Sequence, residues 1–241
     1  MILTRKFKKF IKEIVQKGVS RHASEVLSAH QLAPLFYGRP YVPITNWSAS
    51  FQAMAHLAND IIINRRTAFI EFGSGVSTII MARLFAMNNI AIPFFSVDDN
   101  AEWIEIQKQT LEKENIADRV TFIHAPLIAS PLTELGPTTW YDHNIIKEKI
   151  GTIKFDLIFV DGPKGEIPYT RFGALPFLVD NIADRFCVFL DDTNRPEERA
   201  ILSKWREMGN SSDIQFFGVY GVIYSGICFE SYPLSSKTKE L

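Results

Sequence analysis

The chain has 241 residues, of which 46% are hydrophobic and 22% charged, and its net charge at pH 7 is −1. This composition is ordinary for a soluble globular protein of one large domain or two small ones. Its apolar runs fall short of the roughly 20 residues that span a membrane, and the basic start MILTRKFKKF is unlike a signal peptide. The two cysteines, Cys187 and Cys228, each stand in an apolar run and are expected to be buried free thiols. We therefore expect a cytoplasmic protein.

The first 30 residues are predicted to form a helix that carries much of the positive charge. Residues 1–21 hold seven basic side chains and one acidic one, a balance of +6, whereas the rest of the chain holds 19 basic and 26 acidic ones. An apolar stripe at helical spacing runs along the same segment and consists of Leu3, Phe7, Phe10, Ile11, Ile14 and Val15. Such a helix could make peripheral contact with an anionic membrane or a partner, or it could pack on its own domain.

Residues 33–47 contain three prolines and a glycine and are expected to form a loop, followed by a second helix over residues 48–64. From residue 65 the pattern changes to short apolar runs that alternate with helical stretches. We therefore predict an N-terminal helical extension, residues 1–64, that caps a main domain, residues 65–241.

Short apolar runs separated by helices predict a parallel sheet that is covered on both faces. The predicted strands are residues 68–72, 92–97, 120–124, 157–161 and 186–191. The predicted helices are about 76–88, 100–115, 142–150, 169–183 and 196–208. Two further strands, 214–220 and 222–229, are separated only by Gly221 and should be antiparallel. The fold class is therefore α/β: a Rossmann-like sheet of five parallel strands with a C-terminal antiparallel hairpin.

The first predicted strand leads into the stretch AFIEFGSGVST, residues 68–78. Glycines after a strand let the backbone approach a ligand closely, and the helix that follows offers free N–H groups. Glu71, directly before the glycines, would repel a pyrophosphate and attract a ligand with an ammonium group. S-adenosylmethionine (SAM) is such a ligand, so the stretch favours a SAM-dependent methyltransferase.

Acidic residues end four of the five predicted parallel strands, and ligands of open α/β sheets bind at this edge. These strand ends hold Glu71, Asp98 with Asp99, Asp161, and Asp191 with Asp192. Asp98 stands where a carboxylate accepts the ribose hydroxyls of an adenosine ligand, which NAD enzymes also use. An NAD-type oxidoreductase is therefore the alternative, although Glu71, the missing third glycine and the terminal hairpin argue against it.

Residues from about 65 to 230 resemble a class I SAM-dependent methyltransferase. The stretches that carry the resemblance are IEFGSGVST, FFSVDDNAEWIE, VTFIHAPL, FDLIFVDGPKG and FCVFLDDTN, and YVPITNWSAS is similar to the lead-in of a bacterial branch of this family. The resemblance implies that Glu71 and the loop Gly73-Ser74-Gly75 surround the methionine part of SAM. It also implies that Asp98, or alternatively Asp99, binds the ribose and that Ala125 lies near the adenine.

The carboxylates of Asp161, Asp191 and Asp192 are the candidates for acid–base or metal chemistry. An oxygen acceptor must lose a proton, so Asp161 could act as the catalytic base. Three converging carboxylates repel one another unless a cation lies among them, and Mg²⁺ prefers oxygen ligands. The layout resembles that of metal-dependent sugar and catechol O-methyltransferases, although it departs from them after Gly162. Alternatively, Asp161 contacts the methionine amino group and Asp191 caps a turn.

The acceptor is expected to be a small molecule or a glycan precursor, bound by residues 31–50 and 126–145. Lys164 and Arg171 could recognise an anionic acceptor. The acidic body of the protein gives no sign of nucleic-acid binding, and Asp-Gly-Pro-Lys stands where many base methyltransferases have an Asn-Pro-Pro-Tyr type signature. A second alternative is a non-catalytic module recruited through its basic N-terminal helix.

Overall fold

The computed structural model describes residues 2–132, 134–208 and 214–234, with the side chains of residues 2–11 and 13–17 outside the description. The helices are α1 (Ile2–Leu32), α2 (Phe51–Ile63), α3 (Val76–Met87), α4 (Ala101–Glu112), α5 (His143–Ile150), α6 (Ala174–Phe177) and α7 (Pro196–Met208). The strands are β1 (Phe69–Phe72), β2 (Phe94–Asp98), β3 (Thr121–His124), β4 (Leu127–Ala129), β5 (Thr139–Tyr141), β6 (Phe155–Val160), β7 (Ile182–Leu190), β8 (Gln215–Phe217) and β9 (Tyr220–Ser225).

Seven strands form one sheet in the order β3-β2-β1-β6-β7-β9-β8. Strands β1, β2, β3, β6 and β7 are parallel, and β9 runs antiparallel to both β7 and β8. The predicted fold class is thereby confirmed, including the antiparallel ending. The strand order reverses between β1 and β6, which is the point where open α/β sheets bind their ligands.

Two local predictions were wrong and one feature was missed, because tertiary packing overrides the local pattern. The hairpin turn lies at Gly218 rather than at Gly221, which is inside β9, where a Cβ would lie 2.5 Å from Leu202 Cδ1 of α7. Residues 169–183 form 3₁₀ turns around the short α6 instead of one helix. At their centre Gly173 packs so tightly on Trp140 that a Cβ would lie 2.6 Å from the indole. The small antiparallel sheet of β4 and β5 was not predicted.

The core consists of two apolar clusters, one on each face of the main sheet. Successive residues of β1 alternate between them, with Phe69 in one cluster and Ile70 in the other. The helices α2 and α3 cover the first face, and Ser50 caps α2 by accepting a hydrogen bond from the Ala53 N–H at 3.1 Å. Because α2 packs directly on the sheet, the extension and the main domain share this core, while the boundary at residue 64 stays a prediction.

Arg83 of α3 holds the loop after α1 against the main domain. Its buried guanidinium forms an ion pair with Glu114 at 2.6 Å and donates to the carbonyls of Leu35 and Pro40, each at 3.0 Å. A buried ion pair is stable only when further hydrogen bonds satisfy it, as these carbonyls do. Among the described helices, none is long and apolar enough to cross a membrane.

His56 of α2 is a buried polar residue that the sequence did not single out. Its Nδ1 lies 3.1 Å from the Tyr220 hydroxyl, and its Nε2 lies 2.9 Å from the Tyr224 hydroxyl and 3.1 Å from Ser231 Oγ. Burial lowers the pKa of His56 to about 3, because the charged imidazolium would lose its hydration. The imidazole is therefore neutral in the folded protein at every pH above that value.

The free energy of unfolding should decrease as the pH is lowered, because the unfolded chain binds a proton at His56 that the folded chain does not. Below pH 6.5 we expect His56 to contribute a loss of about 1.4 kcal/mol per pH unit to the free energy of unfolding, down to about pH 3. Urea denaturation between pH 7 and 4 measures this slope. His56→Gln should make the slope shallower, whereas replacing the exposed His22 by Gln should leave it unchanged. Equal slopes in all three proteins would contradict the assignment.

Candidate functional site

The predicted site segments meet at the carboxyl edge of the sheet, where backbone hydrogen bonds join one strand end to the next. The N–H of Gly73 donates to the Val97 carbonyl at 2.8 Å, and the N–H of Asp161 donates to the Phe72 carbonyl at 2.9 Å. The N–H of Asp191 extends the series by donating to the carbonyl of Val160 at 3.0 Å. The ends of β2, β1, β6 and β7 therefore form one continuous ledge.

Gly73 is required by the packing between two loops. Its φ is +98°, and a Cβ there would lie 2.7 Å from the backbone nitrogen of Gly162. Gly162 is equally confined, because its own Cβ would lie 2.7 Å from Gly73 Cα and would overlap the hydroxyl of Tyr141. The loop after β1 and the loop after β6 are thus in direct backbone contact, which only glycine allows.

Gly75 stands in a different environment two residues later. It is the N-cap of α3 in extended backbone, and a Cβ there would have no described atom within 4 Å. Its N–H donates to Thr78 Oγ1 at 2.9 Å. The N-terminus of α3 therefore faces open space, which is where a helix presents N–H groups and partial positive charge to a ligand.

Glu71 lies behind this loop and is fully buried. Its carboxylate accepts hydrogen bonds from Ser96 Oγ at 2.7 Å, from Ser77 Oγ at 3.0 Å and from the Thr78 hydroxyl. Burial raises its pKa to about 7, although the three hydroxyls favour the charged form. Glu71 thus ties β1 and β2 to the first turn of α3, and its contact with a ligand ammonium stays a prediction.

Asp98 supports the same loop from the end of β2. Its Oδ2 accepts a hydrogen bond from the Ser74 N–H at 2.8 Å and its Oδ1 accepts one from the Asn100 N–H at 2.9 Å, while burial raises its pKa to about 6. Each carboxylate oxygen has a second lone pair that could accept from a ligand hydroxyl. Asp99 is exposed, so the buried Asp98 beside the loop is the better placed of the two candidates.

Ala125 lies beside Asp98 at the end of the neighbouring strand. Its N–H donates to the Asp98 carbonyl at 2.9 Å, and the residue is fully buried. The exposed His124 before it has its Nε2 at 3.1 Å from the carbonyl of Asp99. The structure therefore places Ala125 beside Asp98, and its contact with an adenine stays a prediction.

Arg171 lies among the three aspartates that were predicted to hold a metal. Its Nη2 is 3.0 Å from Asp192 Oδ2 and 3.4 Å from Asp161 Oδ1. Its Nε and Nη1 donate to the carbonyls of Pro163 and Asp191, both at 3.3 Å. The side chain is only 4% exposed, so the guanidinium is buried within the cluster.

These contacts bear directly on the predicted Mg²⁺ site of Asp161, Asp191 and Asp192. The prediction rested on the need for a cation among three carboxylates, and Arg171 already supplies one. Within residues 2–132, 134–208 and 214–234, no group of three or more His, Cys, Asp or Glu side chains is arranged to hold a metal ion. The residues present do not fit Mg²⁺, and we do not retain it as a cofactor.

Asp161 and Asp191 form a coupled pair of carboxyl groups. Burial and then the charge of Asp191 raise the pKa of Asp161 well above its usual range, and burial followed by the charge of Asp192 raises that of Asp191 to about 6. Asp191 Oδ1 is buried and meets no donor among the groups that the structure describes. A proton shared with Asp161 would supply that missing donor near neutral pH.

Several residues of this site escaped sequence reasoning. The hydroxyls of Ser77, Thr78 and Ser96 could have been suspected from their places, since each faces Glu71 from the first helical turn or from the neighbouring strand. Tyr141 could be suspected of lining the pocket, but its contact with Gly162 could not be foreseen, because only tertiary packing brings its hydroxyl there. The position of Arg171 among the aspartates was also missed, since its place in the sequence suggested only a possible contact with an anionic acceptor.

Comparison with known proteins identifies the fold. No family model matches the chain, and no curated protein sequence matches it either. A solved structure of a provisionally assigned caffeoyl-CoA O-methyltransferase from Staphylococcus aureus covers 91% of this chain and 99% of its own, at 13% identity and a TM-score of 0.55. The structure of an O-methyltransferase from Bacillus cereus, solved with S-adenosylhomocysteine (SAH), covers 86% of this chain and 96% of its own, at 16% identity and a TM-score of 0.51. The chain has the class I SAM-dependent methyltransferase fold.

A class I methyltransferase fold does not by itself determine the reaction. A precorrin 8w decarboxylase from Methanobacterium thermoautotrophicum also has a similar structure, covering 77% of this chain and 94% of its own at 13% identity and a TM-score of 0.50. Folds of this type host more than one chemistry, so the function has to be argued from the residues of the site.

The two glycines of the loop should respond differently to the same substitution. Gly73→Ala should lower the free energy of unfolding by at least about 2 kcal/mol, because the new methyl group meets backbone in a left-handed conformation. Gly75→Ala should change it by no more than about 0.5 kcal/mol, since its methyl group meets no described atom. Urea denaturation followed by tryptophan fluorescence measures both values, and equal losses would contradict the packing described here.

Proposed function

We propose that the protein transfers the methyl group of SAM to an oxygen atom of a small molecule or glycan precursor. The observation that carries the proposal is the open space in front of Gly75, at the N-terminus of α3 and beside the buried carboxylate of Asp98. A ligand there would meet the positive end of the α3 dipole on one side and an acceptor for its hydroxyls on the other. A methionine–ribose unit has the polar groups that match both.

The residues present fit SAM because the loop leaves room where a side chain would otherwise stand. In the proposed arrangement Gly73, Ser74 and Gly75 surround the methionine part, Asp98 accepts from the ribose, and Ala125 leaves space near the adenine. Glu71 contributes by holding the loop, and its charge favours a cationic ligand. When bound, SAM supplies a methyl group on a sulfonium centre that an oxygen can attack in line.

The alternative, an NAD-type oxidoreductase, has less support. The antiparallel strand β9 is inserted between β7 and β8, which a simple doubly wound dinucleotide fold would not have. The loop has no third glycine, and Glu71 directly behind it disfavours a pyrophosphate whenever its carboxyl group is ionised. The likeness to structures described as O-methyltransferases, one of them bound to SAH, favours SAM over NAD.

An oxygen acceptor must transfer its proton as the new bond forms, and the carboxyl pair of Asp161 and Asp191 is the proposed destination. Burial and repulsion from neighbouring carboxylates raise the pKa of both carboxyl groups, that of Asp191 to about 6, so the pair can accept a proton at neutral pH. Asp161, whose side chain is 20% exposed, is the member that an acceptor could reach. Arg171 keeps that side chain in place.

The acceptor is proposed to bind between the two predicted segments, residues 31–50 and 126–145. From the first, Trp47 is 78% exposed and its ring centroid lies 5.6 Å from the Lys164 ammonium, in the loop that follows Asp161. From the second, Tyr141 lies against Gly162 in the same loop. Both segments therefore reach the loop that carries the proposed base.

A peripheral membrane contact through residues 1–21 stays a prediction, because most side chains of that segment lie outside the described residues. The helix α1 does extend over 31 residues, as a continuous amphipathic segment would require. We prefer the enzyme to the non-catalytic module because the carboxyl pair and the open loop meet at one edge of the sheet, as a catalytic site requires.

Binding of SAH tests the proposal most simply in a variant that keeps the fold. Gly75→Ala places a methyl group in the space assigned to the ligand, so we expect at least tenfold weaker SAH binding by calorimetry. Gly18→Ala is the matched control, since a Cβ at Gly18 of α1 also meets no described atom but lies outside the proposed site. Unchanged affinity in Gly75→Ala, or equal weakening in both variants, would contradict the proposed cofactor position.

A further inference from the structure

The cluster around Arg171 has an unusual balance of charge for the end of two parallel strands. Asp161 follows β6, and Asp191 and Asp192 follow β7, so three carboxyl groups come together at one place. Four polar atoms of the cluster contact the guanidinium: two carboxylate oxygens, of Asp161 and Asp192, and two carbonyl oxygens, of Pro163 and Asp191. Carboxylates and carbonyls are also the ligands that Mg²⁺ and Ca²⁺ prefer.

The guanidinium cannot give up its place easily. Arginine stays protonated at any physiological pH, and it is less strongly hydrated than an ammonium, which suits it to buried ion pairs. Arg171 also belongs to a firmly packed 3₁₀ turn, Thr170–Gly173, in which the carbonyl of Phe172 accepts a hydrogen bond from Trp205 Nε1 at 2.9 Å. Moving the side chain away would leave the carboxylates uncompensated in a buried place, which is costly.

Arg195 is the second cation at this place and is held less firmly. Its Nη1 lies 3.1 Å from Asp192 Oδ2 and 3.8 Å from Glu198 Oε1, and its side chain is 41% exposed. It contacts the outer edge of the cluster and does not reach Asp161 at ion-pair distance. Of these two arginines, only Arg171 therefore bridges the acids of both strand ends.

We propose that Arg171 is the resident cation of this acidic cluster and that the protein works without a divalent metal ion. The catalytic part of this inference rests on the proposed methyl transfer, whereas the part about metal binding does not. Arg171 is then a positioning residue: it holds Asp161 and Asp192 and, through the Pro163 carbonyl, the turn that touches Gly73. The acceptor proton would leave to the carboxyl pair, with no metal to polarise the acceptor oxygen.

Titration with Mn²⁺, as a probe for divalent ions, tests this assignment in the full-length protein by calorimetry. The wild-type protein should show no saturable binding at millimolar Mn²⁺. Arg171→Met removes the cation but keeps an apolar stem, so it should bind Mn²⁺ at least tenfold more tightly, and adding Asp192→Asn, which removes one of the two carboxylates that contact Arg171, should abolish that gain. The matched control Arg195→Met should behave like the wild type, because it leaves Arg171 in the cluster.

Two results would overturn the proposal: wild-type binding of Mn²⁺ that Asp192→Asn removes, or no gain of binding in Arg171→Met. If Arg171→Met is too unstable to titrate, the midpoint of its thermal unfolding is measured with and without Mn²⁺ instead. A midpoint that rises with Mn²⁺ in the variant but not in the wild type supports the proposal, and no rise contradicts it. Binding of SAH to the EDTA-treated wild-type protein tests the proposed function separately from the assignment of Arg171. If SAH fails to bind even after Mg²⁺ is added back, that result counts against the proposed function alone.

Discussion

The site depends on one buried carboxylate. Glu71 has no contact with water, and it compensates for that by accepting hydrogen bonds from three hydroxyls on two different elements. A carboxylate buried without such partners would cost far more than a hydrogen bond returns, so the three hydroxyls and the acid specify one another. Because Ser77 and Thr78 stand in the first turn of α3 and Ser96 stands in β2, this network sets where the helix begins relative to the sheet.

From that junction the arrangement extends along the ledge by backbone contacts. Asp98 holds the N–H of Ser74, and the absence of a side chain at Gly73 lets the loop after β6 approach closely. Asp161 is positioned by the same approach, since its N–H donates to the Phe72 carbonyl next to Gly73. The proposed cofactor loop and the proposed base are therefore parts of one rigid unit, and a change in one loop would move the other.

Charge is balanced inside the site. Asp98 at the end of β2 is compensated by backbone N–H groups, whereas Asp161 and Asp192, after β6 and β7, are compensated by Arg171. The two groups of acids can therefore do different things: Asp98 can still accept hydrogen bonds from a neutral hydroxyl, and the Asp161–Asp191 pair can exchange protons. The division matches a ligand bound at one end of the ledge and a reaction at the other.

Much of this architecture could be predicted from the sequence, because its strongest signals are local. Apolar runs bounded by turn residues predicted the five parallel strands, and parallel strands bring their final residues to one edge, so the meeting of Glu71, Asp98 and Asp161 followed. What failed depends on tertiary contacts. Spacing cannot distinguish a glycine that is needed for packing, Gly73, from one that leaves a space, Gly75.

The same limit explains why the sequence suggested Mg²⁺ at the place where the structure puts Arg171, and why two strands were missed. Arg171 enters the acidic cluster from a turn ten residues after Asp161, and no periodic pattern marks that approach. The strands β4 and β5 are only three residues long each, too short for alternation to show. The turn Thr170–Gly173 exists because Gly173 accommodates the indole of Trp140, a contact between residues 33 positions apart in the chain.

The central claim is that the ledge binds SAM. Calorimetric titration of the wild-type protein with SAH, and in parallel with NADH, tests it most directly. The account predicts saturable binding of SAH with one molecule per chain, lost in Asp98→Ala under conditions where circular dichroism shows the variant to be folded, and no saturable binding of NADH. Tighter binding of NADH than of SAH, or no binding of SAH by a folded wild-type protein, would contradict it.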